Sequence, residues 1–290
     1  MRPRHLGLTV LGLVATLVTF TSSLTAQQRG QFSPYATTRI ADNVYVFRYQ
    51  FHQSMVVVTP EGVIATDPIS TAGAAVYVEE IKKITPVPVK YVIYSHHHAD
   101  HISGGAAFQG ATFVAHRRAR ERLERERNPE IVIPTVTVDD RYTIELGGTR
   151  LELIYVGRNH SDNSLVMLLP KEKILFAVNF IPVEGLPWRD MRDTYVNEWM
   201  ESLRRVLQLD FETLIPGHPP TTGRKEHARL MLEYFTDLTA AVKQAHAEGK
   251  CPDRARQEIK LPKYEKWGSY AEFLPLNIGR VCKWASGQEL

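Results

Sequence analysis

Four histidines and one carboxylate fall within six residues, His96-His97-His98-Ala99-Asp100-His101, one residue after Val89-Lys90-Tyr91-Val92-Ile93-Tyr94. The preceding run is β-branched and aromatic and reads as a buried strand. So many ionisable side chains do not pack in a core. The cluster is therefore expected where a strand ends and a loop begins, a common seat of chemistry in layered α/β folds. In extended backbone alternate side chains point the same way, so His96 and His98 can face one point. Asp100 and His101 are adjacent and diverge unless the chain bends and a second centre lies nearby. Imidazole nitrogens with a carboxylate suit zinc, and also iron or manganese. Ala99 and Asp100 interrupt the run, which argues against a solvent-exposed polyhistidine tract. His97 points away from its neighbours and is expected to support the ligands or face solvent.

Further along the chain the same chemistry recurs. Asp67 ends the strand-like Gly62-Val63-Ile64-Ala65-Thr66, His160 lies in Gly157-Arg158-Asn159-His160-Ser161-Asp162-Asn163-Ser164, and His218 ends Ile215-Pro216-Gly217-His218. Together with His96-x-His98-x-Asp100-His101, these segments resemble four of the five ordered motifs of the metallo-β-lactamase superfamily, over roughly residues 40–225. The remaining motif departs from the pattern. After Lys173-Ile174-Leu175-Phe176-Ala177-Val178, where that family usually has aspartate or cysteine, this chain has Asn179.

The resemblance implies a mixed α/β (α+β) four-layer αββα sandwich. It implies a first metal on His96, His98 and His160, with an open position, as in catalytic zinc sites. A second metal would take Asp100, His101 and His218, with Asn179 as a weak ligand and Asp67 as a supporting acceptor. The cofactor is expected to be one or two zinc ions, the second weakly held because an amide is a poorer ligand than a carboxylate; iron is the alternative. A metal-bound water loses its proton near neutral pH and becomes the nucleophile, which Asp100 can orient. The expected reaction is hydrolysis of an ester, lactone or amide/lactam, with β-lactams the less favoured substrates. Phe51 and His52, on a hairpin that overhangs the site in that family, are pocket candidates, as are Trp188 and Asn163. Two other readings stay open. One is a mononuclear iron oxidoreductase of the same fold acting on sulfur compounds; the other is a non-catalytic metal-binding accessory protein.

Residues 1–26 have Arg2 and Arg4, the apolar run Leu6–Phe20 and a small-residue exit, the layout of a secretory signal peptide. The protein is therefore expected to be periplasmic or secreted, with no membrane span once that segment is removed. Its loss takes two arginines and no acids, so net charge drops from +3 to +1, and nothing electrostatic favours nucleic acid. The expected partner is a small-molecule substrate; the oligomeric state is left open. Residues 27–39 are expected to be a flexible lead-in, 40–250 the metal-binding domain, and 251–290 a C-terminal extension packed on it. The only cysteines, Cys251 and Cys282, can form a disulfide or remain two thiols. A helix start is expected at Ser103–Phe108. Arg117–Arg127, alternating Arg and Glu, reads as a solvated, self-paired helix with a structural His116 at its start.

Overall fold

The computed structural model describes residues 33–288; the segment expected to be a signal peptide and residues 27–32 of the expected lead-in lie outside them. The first sheet takes seven strands in order: β1 (Tyr35–Arg39), β2 (Val44–Tyr49), β3 (His52–Thr59), β4 (Gly62–Thr66), β5 (Val89–Ile93), β6 (Thr112–His116) and β7 (Val136–Val138). The second has six: β8 (Arg141–Leu146), β9 (Thr149–Tyr155), β10 (Leu165–Leu169), β11 (Ile174–Ala177), β12 (Thr213–Pro216) and β13 (Gly223–Arg224), running 13-12-11-10-9-8 across the sheet.

The central strands are apolar on both faces, and their two-residue period sorts each face to a different layer. In β10, Leu165, Met167 and Leu169 meet the first sheet, while Val166 and Leu168 face the helices outside. In β3, Met55 and Val57 join the inter-sheet core, while Val56 packs outward. The outer face of the first sheet is covered by α1 (Thr71–Ile84) and α3 (Arg117–Glu126), through Ala74, Tyr77, Ile81, Ala119 and Leu123. The outer face of the second is covered by α4 (Val196–Leu207) and α5 (Lys225–Ala247), through Trp199, Leu203, Val206, Phe235 and Leu238. The architecture is thus the expected αββα sandwich.

Three sequence expectations are corrected. The lead-in does not run to residue 39, because Tyr35–Arg39 pairs antiparallel with β2, Tyr35 opposite Tyr49. Its polar, threonine-rich composition suits an edge strand with one wet face. The helix near the metal cluster starts earlier, as the single turn α2 (Ala99–Ile102), followed by a 3-10 turn at Gly105–Ala107. Gly104 stops it: φ is +88°, and a Cβ there would lie 2.6 Å from Ser70 O. Finally, α3 is not wholly self-paired. Arg118 donates to Tyr155 Oη (2.8 Å) and Arg122 to a ring nitrogen of His97 (2.8 Å).

The extension forms α6 (Asp253–Glu258) and α7 (Tyr270–Ala285). Ala255, Phe273, Leu274, Ile278 and Val281 share one core with α4 and α5. A Cys251–Cys282 disulfide, spanning 31 residues, ties it down. Closing a loop of that length restricts the unfolded chain by about 3–4 kcal/mol on the chain-entropy model. The double variant Cys251→Ala, Cys282→Ala should lose about that much in urea unfolding; an unchanged midpoint would show that the bridge contributes nothing. Among the described residues no helix is long and apolar enough to cross a membrane.

Candidate metal centre

The candidate residues gather at strand ends. Asp67 follows β4, Ser95 to His98 follow β5, His160 lies between β9 and β10, Asn179 follows β11, and His218 follows β12. The single turn of α2 is the bend that the adjacent pair Asp100 and His101 requires, with His101 N donating to His98 O (3.0 Å). Ser95 N donates to Asp67 Oδ1 (2.7 Å) and locks the start of the histidine run to β4.

The ring nitrogens of His96, His98 and His160 lie within 4.8 Å of one another. Two of the three rings have the far nitrogen fixed. His98 Nε2 faces Asp193 Oδ2 at 3.4 Å, which leaves Nδ1 turned inward, 3.1 Å from His160 Nε2. His96 Nδ1 is 2.9 Å from Ser95 Oγ, and its Nε2 looks into the cluster. Burial, reinforced by the field of His98, drives His96 well below the ordinary imidazole range and His160 down to about 3. Both rings are neutral at physiological pH, the form that ligates metals.

A second group stands beside the first. Ring nitrogens of His52, His101 and His218 also lie within 4.8 Å of one another. Nδ1 of His218 is 2.6 Å from Phe51 O; a carbonyl only accepts, so Nδ1 donates and Nε2 is left for the site. Asp100 was expected to complete this group with His101 and His218. The structure adds His52 to His101 and His218 and keeps Asp100 beside them, its Oδ2 3.1 Å from His52 Nε2 and 3.9 Å from His101 Nε2. Partial burial opposes ionisation of Asp100. The hydrogen bond from His52 and the field of His101 outweigh it and hold the carboxyl well below its usual range.

Asn179 lies between the two groups, its side-chain nitrogen 3.4, 3.0 and 3.3 Å from the Nε2 atoms of His96, His101 and His160. It adopts φ +68°, a conformation asparagine tolerates better than most residues. Gly217 makes room for it: a Cβ there would fall 2.6 Å from Val178 Cγ1 and 2.8 Å from Asn179 Oδ1.

Unpartnered atoms test whether a metal fits. His101 Nδ1 and Asp67 Oδ2 are buried without hydrogen bonds, yet face each other at 4.0 Å. This is the layout of a ligating imidazole whose far N–H is aimed at a carboxylate. Burial raises Asp67 to about 7, against the hydrogen bond from Ser95. Asn179 Oδ1 is also buried and unpartnered. Two triads of converging ring nitrogens, with unsatisfied atoms behind them, fit divalent cations.

Several neighbours were not legible beforehand. His97 is neither solvent-facing nor aimed inward with His96: it is buried, its backbone N donating to Asn163 Oδ1 (3.0 Å) and its Nε2 taking a hydrogen bond from Arg122 (2.8 Å). Asn163, expected in the substrate pocket, is fully buried as the bracket of His97 and cannot meet substrate. Asp193, on the β11–α4 loop, had no motif to announce it. Trp188, on the same loop, is 66% exposed and packs edge-on against Phe273; Phe51, 70% exposed, caps the hairpin beside His52. His116 has the structural role expected, accepting from Arg118 N at the start of α3.

The chain is 27% identical over 202 residues to 2,4-dinitroanisole O-demethylase subunit alpha of Nocardioides sp., covering 68% of this chain and 61% of that one. It is 29% identical over 146 residues to metallo-beta-lactamase type 2 of Bacillus sp., covering 49% and 56%. Linear primary-alkylsulfatase of Pseudomonas sp. is 21% identical over 277 residues, covering 77% and 52%. The chain thus spans between half and two thirds of the length of these relatives. Among solved structures, a metallo-beta-lactamase from Pontibacter korlensis superposes with a TM-score of 0.63 at 22% identity, over 70% of this chain and 99% of that one. That likeness concerns the fold alone. A sequence model of the family matches residues 49–218, more than half of the chain, and the protein belongs to the metallo-beta-lactamase superfamily.

Proposed function

We propose that the protein is an exported, zinc-dependent hydrolase of small-molecule esters, lactones or amides. One observation carries this reading: two triads of converging histidine nitrogens stand side by side, with the Asp100 carboxylate at their open edge. A bound divalent metal supplies a Lewis acid and acidifies a coordinated water. The chain's own residues do the rest. His96, His98 and His160 would hold the first ion, with Ser95 and Asp193 orienting two of the rings. Asp100, ionised at neutral pH, is placed to orient an attacking water by accepting its hydrogen bond. Exposed Phe51, next to His52, offers an apolar surface to the substrate's non-reacting part. The Cys251–Cys282 bond supports export, since disulfides persist in oxidising compartments.

The relatives are named for 2,4-dinitroanisole, β-lactams and linear alkyl sulfates, so bond type is the first thing to test. Metal-stripped protein should be inactive on p-nitrophenyl esters, lactones, nitrocefin and alkyl sulfates. Zinc should restore turnover of an ester or lactone above the others. Restoration by iron alone, with oxygen consumed, would make the protein an oxidoreductase; no turnover with any metal would leave it a binding protein.

A further inference from the structure

We infer that His52 is a metal ligand, and that it completes the second centre in place of the carboxylate this chain lacks at Asn179. The inference rests on the metal-centre part of the reading above and not on the reaction assigned to it.

The geometry of the second triad repeats that of the first. Ring centroids of His96, His98 and His160 stand 4.5, 4.8 and 5.4 Å apart, with interplanar angles between 73° and 82°. Those of His52, His101 and His218 stand 4.8, 4.8 and 5.2 Å apart, with angles between 63° and 74°. In both, three rings stand edge-on around one point.

The hairpin carrying His52 is tied to the loop carrying His218. Gln53, fully buried, donates from its backbone to Gly217 O (2.9 Å) and from its side chain to Pro216 O (3.0 Å), His218 O (3.3 Å) and Pro220 O (3.1 Å). Phe51 O in turn holds Nδ1 of His218. Residues on either side of His52 thus clamp it edge-on against His218, across 165 residues of chain from Gln53 to the His218 loop. An ordinary hairpin tip is the most mobile part of a sheet; this one is anchored where the ligand set needs it.

The chemistry agrees. With Asn179 neutral, Asp100 is the only carboxylate among the candidate ligands. A second ion held by Asp100, His101 and His218 alone has two nitrogens and one oxygen. Adding His52, whose Nε2 would exchange its hydrogen bond to Asp100 (3.1 Å) for the ion, makes three imidazoles and a carboxylate, which matches a borderline ion such as zinc or cobalt better than an oxygen-seeking one such as manganese. The amide of Asn179 is then free to sit between the two centres without ligating strongly.

Zinc titration of the metal-free full chain, read by competition with a chromophoric chelator, tests this directly. Wild type should bind two zinc ions. His52→Ala should keep the first and hold the second at least about 100-fold more weakly, more than an outer partner usually costs. His52→Gln, which keeps a donor for Asp100 and removes the imidazole, should behave the same. Adding Asn179→Asp to His52→Ala should restore the second ion. If His52→Gln holds the second zinc as tightly as wild type, His52 only positions Asp100 and the ligand assignment fails. A wild type that binds a single zinc, unaffected by His52, also overturns it but leaves the first centre standing. No zinc at all would overturn this inference and the metal-dependent reading together. First-site occupancy in each variant reports that it has folded.

Discussion

His96→Ala should abolish binding of the first zinc and lower ester hydrolysis by more than about 100-fold, the upper range for loss of a partner outside the ligand shell. His96 is 1% exposed, with its Nε2 pointed into the triad and its Nδ1 held by Ser95. Alanine leaves two nitrogens where three converged, and no neighbour can swing in, because His97 is engaged by Asn163 and Arg122. Asp193→Asn is the graded comparison. Its carboxylate faces the far nitrogen of His98, so zinc affinity should fall about 10- to 100-fold while the site survives. Zinc stoichiometry and kcat/KM on the same preparations separate the two. Full zinc occupancy in His96→Ala would remove the first triad from consideration as a metal site.

Metal-free protein should lose stability steeply as pH falls from about 6.5 to 4. Burial lowers His97, His116 and His218 to about 4 and His160 to about 3, and drives His96 and His101 well below the ordinary range. In the unfolded chain each ring returns to an ordinary imidazole value. Below about pH 6.5 the unfolded state therefore takes up protons that the folded state refuses. The stability is fully present above that pH and is lost as pH drops through the folded values. His97 alone accounts for about 3 kcal/mol across the window. Asp67 runs the other way, because its carboxyl is raised to about 7 and the fold gains from its protonation on acidification. One carboxyl does not offset six rings. Melting temperatures of chelator-treated protein between pH 7.5 and 4 give the slope. His116→Asn, which keeps an acceptor at the start of α3 and removes one titrating ring, should make it shallower. A melting temperature indifferent to pH would mean that the rings are not buried neutral in solution.

Much of this molecule was legible in one dimension. Strands apolar on both faces demand layers on both sides, and β3, β10 and β11 show the two-residue sorting that such composition requires. The histidine run after Tyr94 and the later His160 and His218 were readable because each follows its own apolar strand, a local pattern. The departure at Asn179 was equally plain, as a single letter in an otherwise regular segment.

Other features exist only in three dimensions. His52 reads as a hairpin residue until the Gln53 clamp sets it against His218, and Asp193 reads as loop until it meets His98. Asn163 and Arg122 looked like pocket and surface, yet both close on His97. Local sequence periods report which way a side chain faces within its own element. They do not report the register between elements or where a loop packs. The two triads are products of that register, so the sequence by itself determined the layered fold and most of the ligand types. Only the tertiary structure decided how those ligands are grouped and which neighbours hold them in place.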